Sequence, residues 1–196
     1  MDLCLNKPHY DVEQKELILL KPHQMNSDIL LNMKLNLKEK IEGKCNKYGY
    51  IDKVYKILDY SNGLLSSENL SGGAVYNVKY HCKMYAPLEN TSILGEITLL
   101  NPELIIVTNG PIRIFIPRES INTETIDLNR NFMVKKEKKI LELNRKVIVT
   151  IKDKRINPKD KNIKCIGYLF DVATEKQIKE YYDEEDEEST TTNYIL

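Results

Sequence analysis

Gly43 separates two kinds of hydrophobic repeat in this 196-residue chain, and that change of period most restricts the folds open to it. Before it, Leu30, Met33, Leu37 and Ile41 recur at near-helical spacing behind a capping Asn26 or Ser27, which predicts one amphipathic helix of about four turns. After it, "KCNKYGYIDKVYKI", Lys44 to Ile57, alternates, and its aromatic and β-branched residues predict a strand that Lys47, Lys53 and Lys56 keep soluble. "ELILLKP", Glu16 to Pro22, predicts an earlier strand closed by a proline, which cannot donate into a ladder. Asp59 to Gly73 is rich in turn formers and too long for a tight hairpin, and Ala74 to Pro87 reads as another long strand. Strand, helix, strand, loop and strand make an α+β lobe, a sheet covered by one helix.

The second half carries short strand patterns at Gly95 to Leu100, Leu104 to Val107, Arg113 to Pro117, Lys146 to Lys154 and Lys164 to Phe170. The turn signals "NPE", "TNGP" and "NPKDKN" separate several of them. Five short strands suit a small barrel. Val147, Val149 and Ile151 alternate with Lys146, Thr150, Lys152 and Lys154, as a wall with one dry and one wet, basic side requires. Asn122 to Lys139, with its "KKEKK" cluster at Lys135 to Lys139, reads as a polar insertion between strands.

The net charge of zero conceals an asymmetry. "DEEDEE", residues 183–188, holds six of the 29 acidic residues and nothing basic follows it, so residues 1–182 carry 29 basic and 23 acidic side chains, a net of +6. A run of like charge stays solvated, so the tail is expected to be disordered, serving solubility, a basic partner, or competition with nucleic acid for the basic body. Cys4, Cys45, Cys82 and Cys165 are scattered and no histidine stands at metal-ligand spacing, which predicts reduced thiols, no metal and no cofactor. His81 and Cys82 are strand neighbours and point to opposite faces, so they cannot work as a catalytic pair. No apolar run approaches the roughly 20 residues that span a bilayer, and the start of the chain lacks a signal-peptide pattern, so an intracellular protein is expected. The sequons at Asn69 and Asn90 mean little without a secretory route. Paired carboxylates, a nucleophile with its base and a phosphate loop are missing as recognisable spacings.

The order of elements carries a resemblance. "EG-x-C-x-KYG" (Glu42, Gly43, Cys45, Lys47, Tyr48, Gly49), "VKY" (Val78, Lys79, Tyr80), "GPIRIFIPRESI" and "RINPKDKNIKCIGYLFD" follow in an order and spacing that resembles the larger stalk subunit of multisubunit RNA polymerases. This is the seventh subunit of eukaryotic RNA polymerase II and its archaeal counterpart, and the likeness runs from about Glu16 to Asp171. It implies a tip domain over 16–86 and an OB-fold barrel over 87–172; the extension over residues 1–15 and the acidic tail over 173–196 are additions to the family pattern. It also implies a noncatalytic subunit that docks on the polymerase core, at the clamp region of the largest subunit and a small core subunit, pairs with a smaller stalk subunit and faces the nascent RNA. The Asn-, Lys- and Ile-rich composition points to an AT-rich genome and, with the divergence, to a large DNA virus. The virion and infected-cell cytoplasm would then be its place, or the nucleus for a cellular polymerase.

On this reading Tyr48, Gly49, Tyr50, Asn62, Gly63, Gly72 and Gly73 are the core-docking candidates. Tyr85, Arg113, Phe115, Arg118, Lys152, Lys154 and Arg155 are the RNA-binding ones, since a barrel holds single strands by backbone charge and ring stacking. Phe115, flanked by Ile114 and Ile116, faces either the core or RNA, and Arg113 shares its face; the lysines near the hairpin turn are otherwise ordinary surface. "NPELIIVTNG" departs from the family by placing Leu104, Ile105 and Ile106 where a glycine and an aromatic are usual, which removes one stacking platform. Two alternatives stay open: a free OB-fold RNA-binding protein of translation or RNA decay, and a stalk that has lost RNA binding.

Overall fold

The computed structural model describes residues 5–65, 72–127, 132–135 and 138–182. The chain divides into two compact units, His9–Ala86 with Ile156–Asn162, and Pro87–Arg155 with, among the described residues, 5–8 and 163–182.

The first unit is a sheet covered by one helix. Its strands are β1 (His9–Leu20), β2 (Lys44–Cys45), β3 (Tyr50–Tyr60), β4 (Leu64–Leu65) and β5 (Ala74–Tyr85), in the order β1-β5-β3-β2 with β4 on the end of β5. Ala74, Tyr76, Val78, Tyr80, Cys82 and Met84 bury every second position of β5, the period a half-buried strand demands. The helix α1 (Ile29–Ile41) lays Met33, Leu37 and Ile41 on that face beside Ile18, Leu20, Ile51 and Val54. Leu30, expected on the apolar stripe, is exposed, and Ile29 packs there instead. The cap lies beyond both candidates, one residue after Ser27 and two after Asn26: Asp28 is the N-cap, while the Asn26 side chain accepts from the Asp28 amide at 2.9 Å.

Two boundaries differ from the sequence reading. β1 starts at His9 and pairs with β5 over its whole length, from His9 opposite Tyr85 to Leu20 opposite Ala74. Its first half is polar on the outer face, at Asp11, Glu13 and Lys15, so the apolar signal emerges only from Leu17 onward. β3 likewise runs to Tyr60, into the segment read as loop, with three register shifts against β5. Helix side chains blunt the free edge of β1: Lys40 Nζ donates to the Leu17 carbonyl at 2.7 Å and Asn36 Nδ2 to that of Leu19 at 3.2 Å.

The second unit is a closed barrel of β6 (Ser92–Leu100), β7 (Leu104–Asn109), β8 (Ile112–Pro117), β12 (Lys146–Arg155) and β13 (Ile163–Val172). Every barrel pairing is antiparallel except β8 with β13, so successive strands lie 1-2-3-5-4 around the wall. That is the OB-like topology, and closure removes the open sheet edges. Ile93, Ile97, Ile105, Val107, Ile114, Val149 and Ile151 fill the interior. Asn122 to Lys139, read as a polar insertion, holds order of its own: β9 (Ile126–Asp127), β10 (Met133–Val134) and β11 (Lys139–Ile140) form a small sheet that buries Ile126, Phe132 and Val134.

Residues 175–182, placed in the tail by the sequence reading, are helical. Thr174 and Gln177 cap that helix, the Gln177 side chain accepting from the Thr174 amide at 3.0 Å and the Gln177 amide donating to Thr174 Oγ1 at 3.4 Å. Tyr181 is buried with Leu94, Ile148 and Ala173. The "DEEDEE" run lies outside the described residues.

Candidate nucleic-acid interface

Barrel register places chemistry on the outer wall. In β8 the burial alternates, so that Ile112, Ile114 and Ile116 point inward while Arg113 is exposed and Phe115 half-buried outside. Phe115 stands opposite Ile106 of β7 and, on its other side, Ile166 of β13; Ile106 in turn faces Leu99. These four make an apolar outer row with one aromatic ring in it. The adjoining row is polar and follows cross-strand partners around the wall: Lys146, Glu96, Thr108, Arg113, Lys164 and Arg155. Arg113, Lys164 and Arg155 are all exposed and adjacent on neighbouring strands. Lys146, at the other end, lies 3.9 Å from Glu96.

A bulge sorts the β12 candidates. The register shifts between Ile151 and Asp153, so Asp153 and Arg155 pair with outward Ile166 and Lys164, whereas Lys154 pairs with buried Cys165. Lys154 therefore leaves the outer row, and its Nζ donates to the Pro87 carbonyl at 2.9 Å. Lys152 is exposed at the bulge, and Arg118 begins the short 3₁₀ turn after β8. Tyr85 belongs to the other unit, where its ring lies 5.2 Å from His9 and 6.4 Å from Tyr50. The structure thus puts Arg113, Phe115 and Arg155 on the outer wall of the barrel and turns Lys154 off it, while Tyr85 is part of the first unit's sheet.

The docking candidates fall into two groups at opposite ends of the first unit's sheet. Tyr50 pairs with Tyr85 at one end of β5, while β4 pairs with Val75 and Ala74 at the other, about 35 Å away at strand rise. At the first end Tyr48 is exposed under the Lys47 ammonium, 4.6 Å from its ring centroid, beside a groove of about 560 Å³ that Tyr10, Lys15 and Lys79 also line. Gly49 is a backbone contact: a Cβ there would lie 2.3 Å from the Tyr85 carbonyl oxygen. At the other end Asn62 and Gly63 are exposed, Gly63 against the Tyr76 ring, with Gly72 at φ +69° and Gly73 buried.

No family model matches the chain. It is 31% identical over 174 residues to a protein of Acanthamoeba polyphaga mimivirus provisionally named a DNA-directed RNA polymerase subunit, covering 88% of this chain and 87% of the relative. It is also 28% identical over 105 residues, 52% of this chain and 60% of the relative, to DNA-directed RNA polymerase II subunit RPB7 of Saccharomyces cerevisiae. The chain belongs to the RPB7-like subunits of DNA-directed RNA polymerases.

As an RPB7-like subunit it is an accessory, noncatalytic part of the transcription machinery. Its thiols are chemically consistent with that. Burial pushes Cys45 and Cys82 up to about 11, aided by Asp160 and Asp11 respectively, and Cys165 up to about 12 against the pull of Lys154. At pH 8 each would be thiolate roughly a thousandth of the time or less. Iodoacetamide at that pH is expected to leave all three unmodified in the native subunit over an hour and to label them on denaturation; rapid native labelling, read by intact mass, would contradict this burial.

Sequence reasoning missed Lys164 and Ile166. Their signal was the alternation in "IKCIGYLF", but only the parallel β8–β13 closure puts them beside Arg113 and Phe115. It also missed the C-terminal helix, whose Thr174-x-x-Gln177 capping pattern was legible.

Proposed function

We propose that this RPB7-like subunit docks on its polymerase through the first unit and presents the barrel to nascent RNA. The tip domain of residues 16–86 extends back to His9 in this reading, and the OB domain spans 87–172. The observation that carries the RNA half is the outer wall of the barrel, where the exposed row Arg113, Lys164 and Arg155 runs next to the row that holds Phe115, the pairing of charge and aromatic face that single strands favour. The docking half is supported by Leu64 and Leu65, 71% and 72% exposed on β4 beside Asn62 and Gly63. Such paired apolar exposure at a loop end suits a protein partner. The clamp region of the largest subunit and a small core subunit are the partners this reading assigns, with a smaller stalk subunit alongside. The mimivirus relative favours a viral polymerase, acting in the infected-cell cytoplasm and carried in the virion.

Purification of the tagged chain from its source at moderate salt is expected to recover the large polymerase subunits. Replacing both Leu64→Ser and Leu65→Ser should cut that recovery at least about tenfold, because burying two leucines contributes about 3 kcal/mol or more. Unchanged recovery would move docking to the Tyr48–Tyr50 end of the sheet, and absence of polymerase subunits from the wild-type preparation would overturn the docking assignment.

A further inference from the structure

The C-terminal helix ends, at Tyr182, at one end of the barrel's charged row. Tyr181 is buried against the wall and its hydroxyl accepts from Asn109 Nδ2 at 3.2 Å; Lys146 Nζ donates to the Tyr182 hydroxyl at 2.5 Å and lies 4.5 Å from that ring's centroid. Tyr182 is the residue immediately before Asp183, so the origin of the run is held at Lys146. From Lys146 the outer row proceeds, strand by strand, through Glu96 and Thr108 to Arg113, Lys164 and Arg155. Neighbouring strands lie about 4.8 Å apart, which places Arg113 about 14 Å and Lys164 about 19 Å along the wall. Six extended residues span about 20 Å. The length of the carboxylate run therefore matches the distance from its anchor to the exposed cations, and the charges are opposite.

We propose that residues 183–188 dock in cis along this row, onto Arg113, Lys164 and Arg155, and compete there with other polyanions. The competitive half rests on the reading of the barrel wall as an RNA-binding face; the docking half does not. Single exposed ion pairs are weak, but a tethered run meets its site at an effective concentration in the millimolar range, so several weak pairs suffice. Glu96, the anion in the row, sits beside Lys146 and ahead of the cations, so the run must pass it before it gains a partner. Such docking is screened at high ionic strength, where the Debye length falls to a few ångströms.

Two measurements on the full-length protein test the two halves separately. Zero-length carbodiimide cross-linking at 50 mM salt should join Lys164 to carboxylates of 183–188 within a monomer, and the link should vanish at 0.5 M. No such link, or equal linking to Lys53 and Lys56 of the other unit, overturns docking. In the second, Asp183→Asn, Glu184→Gln, Glu185→Gln, Asp186→Asn, Glu187→Gln and Glu188→Gln together should tighten binding of an oligouridine about three- to tenfold at 50 mM salt and leave it unchanged at 0.5 M. Cross-linking with equal affinities for the two proteins would keep docking and overturn competition. If neither protein binds oligouridine while the cross-link forms, the RNA-binding reading of the wall fails and cis docking stands.

Discussion

Valine in place of Gly167 is expected to lower the melting temperature by about 6–12 °C, the consequence of losing about 3 kcal/mol in a chain of this size. Gly167 lies in β13 with its backbone turned to the barrel interior. A Cβ alone would come 2.5 Å from Ile114 Cγ2 and 2.6 Å from Val149 Cγ1, with the Thr150 carbonyl oxygen at 3.3 Å. Ile114 and Val149 are fully buried and short, so neither can swing out of the way as the tip of a long side chain would. Alanine should cost less, about 1–2 kcal/mol, because the neighbours have to give way to only one methyl. Gly95, where a Cβ would lie 2.3 Å from Val107 Cγ1, should behave the same way. Circular dichroism melts, with hydrogen exchange at barrel amides to locate the change, decide it. A wild-type melting temperature for Gly167→Val would mean that the described interior is packed more loosely than these distances require.

The second large effect concerns RNA. Phe115→Ala is expected to weaken oligouridine binding about five- to tenfold at every salt concentration, the lower part of the range for a stacked base, because the residue is half-buried, with Ile106 and Ile166 on the strands to either side. Arg113→Ala should act differently, flattening the dependence of log affinity on log salt by about 0.7, the share of one phosphate contact on a single strand. The two variants therefore separate stacking from charge on one wall. Measured by fluorescence anisotropy between 50 and 300 mM salt, equal affinities for both variants and wild type would identify the barrel as scaffold alone. The absence of an aromatic at Leu104 to Ile106 leaves Phe115 as the ring in its row, so the stacking effect should concentrate there.

Much of the architecture was legible along the chain because its signals are local. The alternation of Ala74 to Tyr85 follows from a strand with one dry face, and the four-residue spacing of Met33, Leu37 and Ile41 from a helix with one dry stripe. All five barrel strands appear where apolar alternation placed them, lengthened by one to three residues at their ends. Local pattern failed where burial was supplied from elsewhere. The polar first half of β1 is a strand because β5 is long enough to pair with it, and Phe132 and Val134 are buried by a small sheet that no run of residues announces.

The RNA-binding candidates show the same division. That Arg113 and Phe115 share a face was determined by the period of two, a property of the backbone that every strand obeys. Whether that face was inside or outside the barrel depended on which side closed, and closure is a matter of non-local pairing between β8 and β13, 51 residues apart at Arg113 and Lys164. The bulge that turns Arg155 outward and Lys154 off the outer row is decided in the same way, by the register β12 must keep with β13. Composition and period thus determined by themselves which residues travel together. The direction they face, and the cations brought beside them, were decided only when the chain closed on itself, because hydrogen-bond register between distant strands is set by the energy of the whole packed barrel.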